Sequence, residues 1–263
     1  MVVSKSQIKY LSSLKLKKKR DFYSQFIIEG NRIILELINA ISNLKCNYSI
    51  DKIIISNQFK TDSNNNSFIK KIEKKFVINE TDELDMKKIS NFSTPPGIVA
   101  LVNKLERKHI YSNESVLLLD NISNPGNLGT ILRSAEWFGI KKVYISKNTV
   151  DPYNPKTLQS SAGAHFFLES IIQTNLIDVI KVYKKKHFQI ISTSLNGESI
   201  NSINFNKNWI LILGNEGHGV SNNISSYIDK EITINKFGNI ESLNVAMAGS
   251  IILSQFINKK GNV

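Results

Sequence analysis

A chain of 263 residues, 41% hydrophobic and 9% aromatic, carries enough apolar material for one large domain or two modest ones, and two is the expectation. The net charge of +12 and pI near 9.6 favour a polyanionic partner, although the basic clusters at residues 17–20, 70–71, 74–75, 184–186 and 259–260 each read alone as a solvated face. The single cysteine, Cys46, excludes a disulfide framework and a cysteine metal cluster within one chain, reads as a small buried apolar residue and suits a reducing compartment; no apolar run approaches the ~18 residues of a membrane span.

In chain order, Ile8, Leu11, Leu14 and Leu16 recur at helical spacing, and the basic run 17–20 is expected to end that helix. Residues 25–28 form a strand, and after the Glu29-Gly30 break Ile33, Ile34, Leu37, Ile38 and Ile41 mark a helix. Residues 53–55 make a second strand, 57–67 a polar loop or insertion, and Phe68, Ile69, Ile72 and Phe76 a helix leading into Val77 and Ile78. A turn at 93–97 precedes the strand 98–102, closing an α/β unit over residues 1–103. Charge then rises and the apolar pattern lapses, so residues 104–114 read as a linker, with an exposed helix as the alternative.

The remainder, residues 115–263, alternates strands and helices. Residues 116–119 are a short apolar strand of the kind buried on both faces. Pro125 and Gly126 force a turn, and Leu128, Ile131, Leu132, Ala135 and Phe138 then repeat at helical spacing until Gly139. That helix carries Thr130, Arg133 and Trp137 on its other face. Strands follow at 143–145, 189–192, 209–213 and 231–234, with helices near 156–164 and 177–183. Residues 244–257 are apolar almost all round, as a buried helix would be. This order implies an α/β domain with a mainly parallel sheet.

Polar residues and glycines collect in three loops, each directly after a predicted strand: residues 124–133, 214–219 and 237–244. Loops at the carboxyl ends of parallel strands converge, so these can line one pocket. Neither a G-x-G-x-x-G dinucleotide signature nor a phosphate-binding P-loop is present.

Together the loops resemble the SpoU/TrmH family of RNA ribose 2′-O-methyltransferases, of the SPOUT superfamily. Asn127, Gly129 and Arg133 match that family's N-x-G-x-x-x-R pattern, residues 213–217 its G-x-E-G loop, and residues 242–246 its S-L-N-V-[AS] motif, in the family's order. Asn154-Pro155-Lys156 with residues 160–164 resembles the segment between the first two motifs. Residues 26–30 with 96–100 resemble the family's N-terminal substrate-binding domain, so the likeness spans nearly the whole chain and speaks against residues 1–20 being a cleaved leader.

The resemblance implies a C-terminal α/β trefoil-knot domain, a smaller N-terminal α/β domain of the L30e-like type, an S-adenosylmethionine cofactor held in the knot, and a homodimer in the cytoplasm. By position the cofactor contacts fall at Gly214, Ile234 and Leu243; after Ile234 stands Asn235, where the family usually has proline. Methyl transfer to a ribose hydroxyl needs an oriented nucleophile and stabilised negative charge on oxygen, and Arg133 suits that role better than that of a literal base. Asn127 is expected to bond Arg133 or the ribose, or else to cap its helix. Glu216 is expected to orient Arg133 or Asn127, and Ser242 and Asn244 to bind substrate, shape the cofactor loop or cap the last helix. No two histidines have zinc-like spacing, so no metal is expected; Glu136 and Glu241 read as surface carboxylates. Ribosomal RNA is favoured over transfer RNA, because tRNA-modifying relatives often lack the N-terminal domain. The alternatives are a tRNA 2′-O-methyltransferase and a non-catalytic RNA-binding assembly factor on the same fold.

Overall fold

The computed structural model describes residues 2–43, 46–104, 111–204 and 208–260. Its contacts divide the chain into two units, Met1–Lys108 with Tyr153–Phe166, and His109–Pro152 with Phe167–Val263. Most of the expected linker, residues 105–110, lies outside the described residues.

In the first unit, α1 (Lys5–Ser13) opens with a capping box in which Ser4 and Gln7 bond each other's backbone N–H. The basic run does more than end this helix. It forms α2 (Lys17–Tyr23), and its buried Arg20 donates Nη1 to the carbonyls of Leu14 (2.8 Å) and Lys15 (2.7 Å), satisfying the end of α1. Next come β1 (Gln25–Glu29), α3 (Asn31–Asn43) and β2 (Tyr48–Ser56). The stretch 57–67 is helical rather than a loop, as α4 (Asn57–Thr61), a 3-10 turn (Ser63–Asn65) and α5 (Asn66–Glu73). Two polar residues cap its helices: Ser56 Oγ, just before the stretch, accepts from Phe59 N (3.2 Å) and Asp62 Oδ1 within it from Asn64 N (3.0 Å), while Phe59 and Ile72 are buried. After β3 (Ile78–Thr81) comes α6 (Glu83–Ile89), a helix with no sequence expectation, then β4 (Ile98–Lys104). The four strands pair in the order β1-β4-β2-β3, with β1 and β2 antiparallel to β4 and β2 parallel to β3.

The second unit begins with β5 (Val116–Leu119), α7 (Pro125–Trp137) and β6 (Lys142–Ile145). The next helix, α8 (Pro155–Ser161), groups with the first unit. The second unit resumes with β7 (Ser170–Gln173), α9 (Leu176–Lys185), β8 (Gln189–Ser199), β9 (Trp209–Leu213), α10 (Asn222–Ser225), β10 (Lys230–Thr233) and α11 (Val245–Lys260). Strand β7 had no sequence expectation. All six strands run parallel, in the order β10-β8-β9-β5-β6-β7.

Strand β5 sits inside this sheet and alternates between two cores. Leu117 and Leu119 face the cluster built with α7 and α11, and Val116 and Leu118 face the cluster built with α9. The helix α11 lies so close that a Cβ on Gly249 would stand 2.7 Å from Leu213 Cδ1. It is not buried all round, however, since Met247 and Ile251 are 59% and 40% exposed.

Candidate active site

Where β5 ends, buried Asp120 accepts two bonds at Oδ2 from Ser221, 2.8 Å from its N and 2.6 Å from its Oγ. Asn121 then turns through a left-handed conformation (φ 56), and its carbonyl accepts Asn215 Nδ2 at 2.8 Å. The base of the first loop is thereby tied to the second. Within the second loop, Asn215 and Gly219 exchange backbone bonds (2.8 and 2.9 Å), and Asn215 Oδ1 accepts from the N–H groups of Gly217 and His218 at 2.9 and 3.2 Å. A side chain on Gly214 would collide with the Gly219 backbone, so this narrow loop requires glycine there.

The cap of α7 is Asn124, whose Oδ1 accepts from Gly126 N (2.8 Å) and Asn127 N (3.3 Å), with Pro125 filling the first helical position. Asn127 is therefore relieved of the capping role. Its Nδ2 donates to Glu216 Oε1 at 2.8 Å, and its Oδ1 accepts Asn244 Nδ2 at 3.0 Å. Asn244 also caps α11, its Oδ1 accepting from Ala246 N (2.9 Å) and Met247 N (3.3 Å). One amide thus bridges all three loops.

Glu216 also takes Ser123 Oγ at 3.2 Å and Asn215 Nδ2 at 3.4 Å on Oε2. Partial burial pushes its pKa up, but donation from Asn127, from its own backbone and from Ser123 outweighs this and holds it below the ordinary glutamate value. The group is a carboxylate at neutral pH.

Arg133 stands apart from this chain of bonds. It lies six residues beyond Asn127, about 9 Å further along the helix axis, is exposed, and has no ion-pair or hydrogen-bond partner among the described residues. Glu216 turns to Asn127 and not to Arg133. Ser242 is exposed in its loop. Ile234 packs partly buried against the α7 and α11 cluster, and Leu243 is 44% exposed. Asn235, in the position of the family's proline, accepts Ser199 Oγ at 2.7 Å, which pins the start of the third loop to the end of β8.

Ser123, Asp120, Asn121, Asn215 and Ser221 escaped the sequence reading. Only Asn215 carried a local signal, as the first residue of an Asn-x-Gly turn. A cleft of about 290 Å³ opens beside Asp120, Asn121, Ser146 and Asn175, and none of the expected site residues lines it. Glu136 is partly buried rather than a surface carboxylate: burial raises its pKa, and Lys141 Nζ at 3.3 Å works against that. No group of three or more potential ligands for a metal ion exists among the described residues. Nor is any helix of the described residues long and apolar enough to cross a membrane.

A parallel α/β sheet whose three strand-end loops are tied through one asparagine, with a separate α/β unit in the same chain, fits the class of RNA methyltransferase that the motifs imply. The chain belongs to the SpoU rRNA methylase family, whose model matches residues 114–254, and residues 5–100 match the MRM3-like substrate binding domain. It is 29% identical over 94% of its length, and 94% of the relative's, to the 23S rRNA (guanosine(2553)-2′-O)-methyltransferase RlmP of Bacillus subtilis. Its structure resembles a TrmH-family RNA methyltransferase protein of Porphyromonas gingivalis, with a TM-score of 0.81, 29% identity and coverage of 98% of this chain and 100% of that one. A SpoU methyltransferase of Streptomyces viridochromogenes, AviRb, solved with S-adenosylmethionine, shares the fold at a TM-score of 0.82 and 20% identity, over 97% and 98% of the two chains. The protein is an RNA methyltransferase of this family.

Proposed function

We propose that this enzyme methylates a ribose 2′-hydroxyl in large-subunit, 23S-type ribosomal RNA, acting as a cytoplasmic homodimer. The likeness to RlmP across both parts of the chain is the observation that carries the choice of substrate, because it includes the segment matched as a substrate-binding domain. In this reading residues 1–103 bind RNA, 104–114 link, and 115–263 carry the chemistry.

The residues present suit the cofactor. Gly214 lets the second loop close tightly on Gly219, while Ile234 and the half-exposed Leu243 offer apolar surface to an adenine ring. Bound S-adenosylmethionine supplies an electrophilic methyl group. The protein's part is to hold the hydroxyl in line and to stabilise charge as its proton leaves. Arg133, exposed and unpaired among the described residues, is available to a phosphate or to the ribose oxygen. Asn127, Glu216 and Asn244 keep the loops in register, and Ser242, exposed in its loop, is assigned to substrate or cofactor. The apolar residues left exposed one turn apart on α11, Met247 and Ile251, are the surface a second copy would cover.

Tritium transfer from labelled cofactor to total rRNA, with total tRNA alongside, tests the reading. Label is expected in the large-subunit rRNA, and primer extension at low nucleotide concentration locates the modified ribose. Label confined to tRNA, or none from folded protein, would overturn the choice of substrate or the activity respectively.

A further inference from the structure

We propose that α2 presents a stacking platform for an unpaired RNA base, formed by Phe22 on Tyr23 and flanked by Lys18 and Lys19. The proposal rests on the reading of the protein as one that acts on RNA, and names where the first unit would grip a single-stranded segment.

The orientation of α2 is set by Arg20, which is 4% exposed and bonded to the carbonyls of Leu14 and Lys15. At about 100° per residue, Lys18 and Phe22, two positions either side of Arg20, lie about 160° round the helix from it and so point outward. Phe22 is accordingly 78% exposed. A ring so exposed gains little from burial, and it has one aromatic neighbour among the described residues. Its edge-to-face partner Tyr23 lies 4.9 Å away at 88°, and Tyr23 meets Tyr10 at 4.9 Å and 82°. Tyr10 in turn hydrogen-bonds Gln25, which donates to Asn103 Oδ1 at 2.5 Å. The aromatic step is thus anchored to the sheet.

Its surroundings are cationic. Lys15, Lys17, Lys18 and Lys19 are all exposed, and Lys19 Nζ stands 6.0 Å from the Tyr23 ring centroid. The one acid on α2, Asp21, is engaged by Lys17 at 2.7 Å and Lys104 at 3.7 Å. Lysines beside a free aromatic face are what a single strand needs, for its phosphates and for one unstacked base. A protein partner would have to be strongly acidic and is the outcome that the test below separates.

The full-length Phe22→Trp variant serves as reporter, read against wild-type protein for the background of Trp137 and Trp209. Titration with single-stranded oligouridylate is expected to quench its emission in a saturable, salt-sensitive way, and duplex RNA of equal length is expected not to. Phe22→Ala and Phe22→Leu should each weaken binding of the single strand about tenfold with an unchanged melting temperature, since both lack the ring. Lys18→Ala with Lys19→Ala should lower the salt slope by about 1.4. Equal quenching by duplex overturns the platform, and unchanged binding by the alanine and leucine variants overturns it and leaves an acidic protein as the partner of this face. Wild-type methylation of rRNA with an unchanged KM in Phe22→Ala would sink the platform alone. Quenching without methylation by wild type would sink the catalytic reading alone.

Discussion

The side-chain amide of Asn127 donates to the carboxylate of Glu216 at 2.8 Å across 89 positions of sequence. Because the other end of that amide is taken by Asn244, 117 positions away, Asn127 sits between two loops that the chain delivers from different strands. Its own cap duty has passed to Asn124. The relationship explains why an asparagine suits this position: a short side-chain amide donates at one end and accepts at the other.

Asn127→Asp should therefore be worse than Asn127→Ala. Alanine removes two hydrogen bonds, a cost of about 1–3 kcal/mol in all, while aspartate sets a second carboxylate against Glu216. Melting curves and tritium transfer are the measurements, and both variants are expected to lose most activity. An Asn127→Ala enzyme with full turnover would remove the loops' coupling from the mechanism.

Arg133→Ala separates chemistry from structure. The residue is exposed and unpaired among the described residues, so stability should stay within ~0.5 kcal/mol of wild type. Methyl transfer is expected to fall about 10²- to 10³-fold while calorimetry still registers cofactor binding. Activity that survives the substitution would assign charge stabilisation to another group.

Two alanine substitutions in the second loop should behave oppositely. At Gly214 the added methyl meets the Gly219 backbone, whereas at Gly217 its nearest neighbour is Asn215 Oδ1 at 3.6 Å, an ordinary contact. Gly214→Ala is expected to abolish cofactor binding in a calorimetric titration, and Gly217→Ala to keep it.

Acid should expose the role of Glu216. Its pKa in the folded protein lies below the unfolded value of about 4.3, through the bonds that overcome its partial burial. Its contribution to stability is present above that unfolded value and is lost as pH falls through the folded one. Denaturant melts from pH 6 down to pH 3 should show a shallower acid decline for Glu216→Gln than for wild type; identical declines would mean that the bonds seen here do not bias its ionisation.

Sedimentation tests the uncovered face of α11. Met247 and Ile251 are exposed in the single chain, and Ile251→Asp should yield a monomer with an intact fold if a second copy covers them. A monomeric wild type would remove the homodimer from the reading.

The sequence by itself determined what short-range pattern can carry. Its apolar runs marked β5 and β9 as strands, the first with no solvent face, its spacing placed Leu128, Ile131, Leu132 and Ala135 on the buried side of α7, and the order of its motifs named the family. Composition misled where polar residues serve as caps, as at Ser56 and Asp62, because a cap and a loop draw on the same residue types. Tertiary structure alone decided that Arg20 turns inward to the end of α1, that α11 leaves one apolar stripe uncovered, and that Glu216 pairs with Asn127 rather than Arg133. Each of these depends on which atoms packing brings within about 3 Å, and pairings between residues so far apart in the chain leave no period in the sequence.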